Sequence, residues 1–477
     1  MEYKQQPQAA PHVKPRLIIH GGAGNLKPAN LPPKLYREYR ETLLTIVSKT
    51  HAYMNTPTST KTNNLPTALD TATFAVALLE NNPLFNSAHG AVFTRDGLNE
   101  LEASVMVSAG LAKRGVGVTG LRHIKNPILL ARKILEHGDR DLGATTTATT
   151  STELDVPSAQ GHTILHGATA ESLAQQYGLA LVPPSYFFTQ KRWDEHVRAL
   201  ERERNTDGGG MMVGSSSATW SKDEYLPQGT CGAVALDAEG VVCCATSTGG
   251  LTNKLTGRIG DTPVVGAGFW AEEWTEDGDP TGERMRNRLR RAPGPAVLLS
   301  DALRGLMAEC LPTPFLYAPV GDGGRGGGVV TTTRSMAASG TGNGDSFLRT
   351  AAVRTVGSIA RFAGVSSAEA LARVVGVSGE LEESAGDRWG RTGEGEGGMI
   401  GIESVVVRDA EGNVVETRSE ILQDYNCGGM FRAWVDEQGV AFARIWRGDR
   451  EEGDLELDRI DKDSLEDGRF WRNEKLR

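Results

Sequence analysis

Short apolar runs closed by glycine alternate along the chain with longer stretches whose apolar residues recur every three or four positions, a pattern that predicts strands interleaved with amphipathic helices. RLIIHGGAG at 16–24 predicts a short buried strand entering a glycine turn, and PTALDTATFAVALLE at 66–80 an amphipathic helix. FNSAHGAVFTRDG (85–97) predicts a polar loop, a short strand and a turn, and ELEASVMVSAG (100–110) a further strand. Helices are predicted in NPILLARKILEH (126–137) and ATAESLAQQYGL (168–179). TCGAVALD (230–237) and GVVCCATSTGG (240–250) have period-two character and read as a β-hairpin. A turn centred on Glu239 pairs Thr230 with Thr248 and places both side chains on one face of the sheet. Downstream, 335–364 predicts a strand, a glycine loop and a helix, and 399–418 a second hairpin.

Three stretches break this pattern. Residues 143–160 are rich in Thr and Ser, 205–228 in Gly and Ser, and 271–332 combine an acidic patch, the basic run RMRNRLRRAPG and a glycine-rich segment. Such compositions favour surface insertions and flexible linkers over core. The tail after about residue 448 is charged.

A net charge of −9 argues against phosphate backbones as partners, because nucleic-acid binding needs clustered Lys and Arg. The first fifteen residues lack the apolar core of a signal peptide, and no apolar run approaches the roughly 18 residues of a membrane span. The expectation is a cytoplasmic protein with no membrane partner. Cys231, Cys243, Cys244, Cys310 and Cys427 form neither zinc-ligand spacing nor a disulfide framework and are read as reduced thiols.

No histidine is convincingly placed to activate a hydroxyl in the manner of a Ser-His-Asp triad. Scission of the Gly229–Thr230 bond would supply another base, the freed α-amine of Thr230, whose reference pKa of roughly 7.7–8 suits general-base work near neutrality. Gly229, without a Cβ, tolerates the strained backbone that self-cleavage requires. Thr248, opposite in the hairpin, is placed to orient the nucleophile. In GRIGD, Arg258 and Asp261 offer complementary charges to the α-carboxylate and α-ammonium of an aspartyl group. GTGNGD (340–345) gathers backbone N–H groups and the Thr341 hydroxyl as an oxyanion site needs.

HGGAGN, FNSAHGAVFTRDG, SYFFTQKRW, GTCGAVALDAEG, ATSTGGLTNKLTGRIGDTPVVGAG and SGTGNGD stand in the order found in plant-type asparaginases, and the chain resembles that family. The resemblance covers most of 16–137, 161–198, 229–270 and 335–364, with a weaker match at 397–432. It implies a four-layer αββα sandwich of the N-terminal-nucleophile hydrolase type over 16–432, with 433–477 as a C-terminal extension. It further implies self-cleavage into an α chain (1–229) and a β chain (230–477), and a dimer of such units. On this resemblance Thr230 is the nucleophile and Thr248 supports it. Arg258 and Asp261 bind substrate, Thr341 and Gly342 form the oxyanion hole, and Gly344 lies in the substrate-binding loop. No cofactor is needed for chemistry. The resemblance implies a structural sodium ion on the backbone carbonyls of Leu79, Glu80, Asn82, Phe85, Ser87 and His89. Where the relatives read Asn-Ala-Gly, this chain has Asn86, Ser87 and Ala88.

The implied reaction is hydrolysis of the side-chain amide of L-asparagine or of a β-aspartyl dipeptide. Alternatives are a glycosylasparaginase, a threonine-aspartase-like protease, or a non-catalytic scaffold of the same fold. Thr248-Gly249-Gly250, where glycosylasparaginases usually show Thr-Asn-Gly, and the presence of Asp261 favour the small-substrate subgroup.

Overall fold

The computed structural model describes residues 12–58, 64–109, 113–141, 158–207, 229–277 and 331–447. The chain opens with β1 (Arg16–Gly24), α1 (Pro33–Met54), α2 (Ala68–Glu80), β2 (Leu101–Val107), β3 (Gly115–Leu121) and α3 (Pro127–Asp141). β4 (Ile164–His166), α4 (Gly167–Gln176) and α5 (Gln190–Asp207) follow. After residue 229 come β5 (Cys231–Leu236), β6 (Val242–Thr248), β7 (Phe269–Asp277), β8 (Thr331–Gly342), α6 (Gly344–Thr350), α7 (Ala352–Phe362), α8 (Ser367–Val375) and α9 (Glu380–Glu383). β9 (Gly397–Arg408), β10 (Val414–Tyr425), β11 (Gly429–Val435) and β12 (Ala441–Arg444) complete the described elements.

The strands form two sheets. One has eight strands in the order β12-β11-β1-β5-β6-β2-β3-β4, and the other four in the order β10-β9-β8-β7. β5 and β6 pair antiparallel from Cys231 opposite Ser247 to Leu236 opposite Val242, the register expected from a turn at Glu239. α1, α2 and α3 bury Leu43, Val47, Ala72, Val76 and Ile128 with the sheet residues Leu17, Ile19, Cys231 and Ala233 in one core. The strand's alternate residues Ile18, Val234 and Cys244 face a second core with Met336, Ile400 and Ile402 of the smaller sheet and Val353 and Val356 of α7. β5 and β6 are therefore buried on both faces, which accounts for their nearly continuous apolar sequence.

Several boundaries differ from the sequence expectation. The glycines of 21–24 continue β1 against β11 through an irregularity between His20 and Gly22. The short strand expected within 85–97 is absent; a single 3-10 turn spans Ala88–Gly90. Side chains satisfy its backbone instead, Asn86 Oδ1 accepting from Val92 N–H and Asn99 Nδ2 donating to Ala91 and Val92 carbonyls. Residues 271–277, expected in an insertion, extend β7, and Thr331 and Thr332 begin β8. The acidic EEW sequence suggested an excursion, but Glu272 is buried because Lys113 (2.6 Å), Arg361 (3.0 Å) and Arg354 (3.3 Å) surround its carboxylate. β11 runs past 432 to Val435, and β12 adds residues of the expected C-terminal extension to the sheet edge. Residues 205–207 belong to α5, while the rest of 205–228 and most of 143–160 lie outside the described residues. Among the described residues no helix is long and apolar enough to cross a membrane.

α2 packs directly beneath β5 and β6. Its start is fixed by a reciprocal capping box: Thr67 Oγ1 accepts from Asp70 N–H (3.1 Å) and Asp70 Oδ2 accepts from Thr67 N–H (3.0 Å). In the uncut Thr230→Ala chain, Thr67→Ala is expected to lower the unfolding free energy by about 1 kcal/mol, read from a urea midpoint shift at unchanged slope.

Candidate active site

The mouth of the β5–β6 hairpin gathers the residues singled out from sequence. Thr230 stands one position before β5 and is buried. Its N–H donates to Thr341 Oγ1 at 3.0 Å, and the same oxygen accepts from Ala23 N–H at 3.1 Å. Thr341, near the end of β8, thus reaches from the smaller sheet to two segments of the larger one. Gly229 packs backbone to backbone against β1: a Cβ there would lie 2.4 Å from Gly22 Cα and 2.8 Å from Ala23 N. This close approach is a requirement for glycine that sequence alone did not show.

The register extends to place Thr230 opposite Thr248, but the two hydroxyls are not bonded to each other. Thr248 Oγ1 accepts from Gly250 N–H (3.0 Å), and Thr230 Oγ1 instead has Thr262 Oγ1 at 3.5 Å. Thr262 is fully buried and was missed by the sequence reading; its position directly after Asp261 was the available signal. The turn after Thr248 is clamped by Asn86, whose Nδ2 donates to Gly250 carbonyl (2.7 Å) and whose main-chain carbonyl accepts from Gly249 N–H (3.0 Å).

Arg258, Asp261 and Gly344 converge. A Cβ on Gly344 would stand 2.5 Å from Asp261 Oδ1 and 3.0 Å from Arg258 Nη2, so the bare glycine preserves a small space in front of both charges. Burial pushes the Asp261 carboxyl up to about 7, with Arg258 opposing the shift. The guanidinium itself bonds Asp345, Nη2 to Oδ1 at 3.2 Å, a partner the sequence reading had not assigned although it adjoins Gly344. Gly342 takes φ +146 with Glu396 carbonyl 2.4 Å from where a Cβ would be, and only glycine fits there.

The remaining candidates lie in the last turn of α2 and the loop after it. Leu79 carbonyl accepts from Asn82 N–H, Asn82 from Phe85, Phe85 from Ser87 and Ser87 from Gly90, so the segment coils tightly. Ala88 holds φ +43 in this coil, a region that favours glycine. Ser87 Oγ lies 2.6 Å from Ser247 Oγ, which donates to Glu80 Oε1 at 2.7 Å; burial lifts the Glu80 carboxyl to about 7. His89 contributes a ring edge to Tyr186. His20 is a strand residue, bonded through Nε2 to Ser339 Oγ (2.8 Å), and burial depresses its imidazole to about 3, which keeps it neutral. Burial pushes the Cys231 and Cys244 thiols up, which opposes thiolate chemistry. Among the described residues no group of three or more His, Cys, Asp or Glu could hold a metal ion.

Two sheets flanked by helices give a mixed α/β architecture, the kind of fold that the asparaginase family of N-terminal-nucleophile hydrolases implies. The family model described as asparaginase matches residues 13–161 and 155–282, and the chain belongs to that family. It is 31% identical over 418 residues to the isoaspartyl peptidase of Escherichia coli (strain K12), covering 88% of this chain and 92% of the relative. The plant-type L-asparaginase of Pyrococcus furiosus is 32% identical over 264 residues, covering 54% of this chain and 70% of the relative. The isoaspartyl peptidase/L-asparaginase of Xenopus laevis is 31% identical over 260 residues, covering 54% and 67%.

Removing the Asn86 side chain strands Gly250 carbonyl and Val92 N–H in a buried site. In the uncut Thr230→Ala chain, Asn86→Ala is expected to cost about 2 kcal/mol or more in urea unfolding, since each buried group left unpaired costs roughly 1–3 kcal/mol.

Proposed function

We propose that this chain cuts itself between Gly229 and Thr230 and that the freed Thr230 hydrolyses the side-chain amide of L-asparagine or the β-aspartyl bond of an isoaspartyl dipeptide. The observation that carries the reading is the convergence of Thr230 and Thr341 with the glycine-floored space before Arg258 and Asp261. The names of the relatives, isoaspartyl peptidase and plant-type L-asparaginase, support the same pair of substrates.

In the uncut chain the Thr230 hydroxyl attacks the Gly229 carbonyl; the C–N bond breaks as its nitrogen takes a proton, which frees the α-amine, and water hydrolyses the resulting ester to release the Gly229 carboxylate and restore the Thr230 hydroxyl. That amine then takes the hydroxyl proton while Oγ attacks the substrate's side-chain carbonyl. The leaving ammonia or amino acid departs with the proton, and water releases aspartate from the acyl-enzyme. Thr341 and Gly342 are assigned to the oxyanion, Thr248 to orientation of Thr230, and Arg258, Asp261 and Gly344 to the aspartyl head. Removal of one oxyanion donor typically costs roughly 2.7–4 kcal/mol in the barrier.

The packing of α1–α3 on the eight-stranded sheet, and of α7 and α8 with the other, supports the αββα four-layer assignment. The self-cut product is an α chain of 1–229 and a β chain of 230–477 in one domain with surface insertions, two such units forming the dimer. A structural sodium ion is assigned to the backbone carbonyls of Leu79, Glu80, Asn82, Phe85, Ser87 and His89, oxygen ligands of the kind a hard cation takes. It would brace the Asn86 clamp and supply no chemistry. The buried free thiols support a reducing, cytoplasmic setting.

Purified protein held at neutral pH and run on a denaturing gel is expected to yield a fragment whose N-terminus is Thr230, absent in Thr230→Ala. A persistently intact wild-type chain overturns the self-processing step and favours a scaffold. The Asp261 carboxyl predicts a pH dependence: below about 7 it is neutral and cannot pair with an α-ammonium, above it is charged. KM for the amide substrate should therefore fall as pH rises through about 7, and Asp261→Asn should remove that limb. The same raised value, above the ordinary 3.8, makes this carboxyl's contribution to stability decline as pH rises from 3.8 towards 7, because the unfolded chain sheds the proton first.

A further inference from the structure

Two buried carboxylates outside the assigned machinery hold the loop that carries Arg258. Glu100 stands just before β2 and Glu102 within it, and both are buried with carboxylates reaching the loop that carries Arg258. Glu100 Oε2 accepts from Gly257 N–H at 2.7 Å, its other oxygen from Arg122 at 2.7 Å, and its carbonyl from Lys254 Nζ at 2.9 Å. Glu102 Oε1 accepts from Gly260 N–H and from Thr119 Oγ1, both at 3.1 Å. The two N–H groups so fixed bracket Arg258, and the second adjoins Asp261.

Glu102 Oε2 is buried without a hydrogen-bond partner. It lies 3.1 Å, and Arg258 Nη1 2.7 Å, from the point where a Cβ on Gly260 would stand, so carboxylate and guanidinium flank the same bare glycine. Asp345 meets Arg258 through the other terminal nitrogen. A buried charge left half-paired is costly, and an adjacent cation offsets that cost without direct contact. Glu102 is also the register partner of Thr248 across β2 and β6, so one residue ties the loop to the strand that supports Thr230.

We propose that Glu102, assisted by Glu100, is a positioning residue that presets the Gly257–Asp261 loop so that Arg258 and Asp261 grip an aspartyl head together. The inference rests on the aspartyl-head reading above. Glu102 acts through the Gly260 backbone and through its field on Arg258, not on the reacting atoms, so it governs affinity and not the acyl-transfer step.

The test uses the full self-processed protein with Glu102→Gln and, at the other end of the loop, Glu100→Gln. Each keeps an acceptor oxygen but removes the charge. Self-cleavage on a denaturing gel reports the Thr230 region, and calorimetry with L-aspartate reports the loop independently of turnover. The expected result is wild-type self-cleavage, with aspartate affinity and KM both weakened roughly ten-fold, a factor equivalent to about 1.4 kcal/mol, and kcat little changed. Affinity for succinate, which lacks the α-ammonium, should fall as well, because Arg258 is displaced. Unchanged aspartate affinity in both variants overturns the proposal. So does a joint loss of self-cleavage and melting temperature in both, which would make the carboxylates supports of the fold at large. Wild-type protein that binds aspartate yet turns over neither amide would sink the proposed reaction while the loop inference stands on the binding data.

Discussion

One hydroxyl holds the site together. Thr341 Oγ1 accepts from the N–H groups of Thr230 and Ala23, so a single oxygen at the end of β8 fixes the start of β5 and the end of β1 at once. Two buried backbone donors are satisfied by this acceptor, and losing it would leave both unpaired in a low-dielectric interior. The glycine pair 22 and 229 allows the approach, since a methyl group on either would push the backbones apart. The hydroxyl, the two glycines and the hairpin register therefore form one constraint.

The polar contacts between the sheets reinforce that constraint. His20 of β1, Ser339 of β8 and Thr246 of β6 are linked at 2.8 Å each across the core between the sheets. Gly232 leaves room for them, a Cβ there lying 2.3 Å from Ser339 Oγ. Apolar packing alone tolerates sliding between sheets, whereas directional bonds between strands fix their relative position. The hydroxyl of Thr341 is thereby delivered to the larger sheet without dependence on loop order.

Much of this was legible in the sequence because it follows local rules. The period-two runs on either side of Glu239 fixed the β5–β6 register to the residue, and 399–418 marked the body of the β9–β10 hairpin. Motif order carried the family. What the sequence hid depends on contacts distant along the chain. Glu272 looked like part of an acidic excursion until Lys113, Arg354 and Arg361 were seen around it. Thr248 was placed opposite the nucleophile by register alone; that its Oγ1 accepts from Gly250 N–H, and that Thr262 Oγ1 stands 3.5 Å from Thr230 Oγ1, are contacts that no strand spacing encodes. The role of Glu102 required knowing that β2 runs beside β6.

The order of the larger sheet interleaves segments from either side of residue 229: β1 lies between β11 and β5, and β2 follows β6. A chain severed there keeps its shape, because each piece supplies strands that the other's ladder encloses. Covalent continuity, however, no longer guides reassembly. Folding of the intact chain is a unimolecular search, whereas two separated pieces must first meet, each with open strand edges exposed to aggregation in the meantime. Severance thus converts a reversible fold into one whose persistence is set by its unfolding rate, and the molecule's working lifetime becomes a kinetic property.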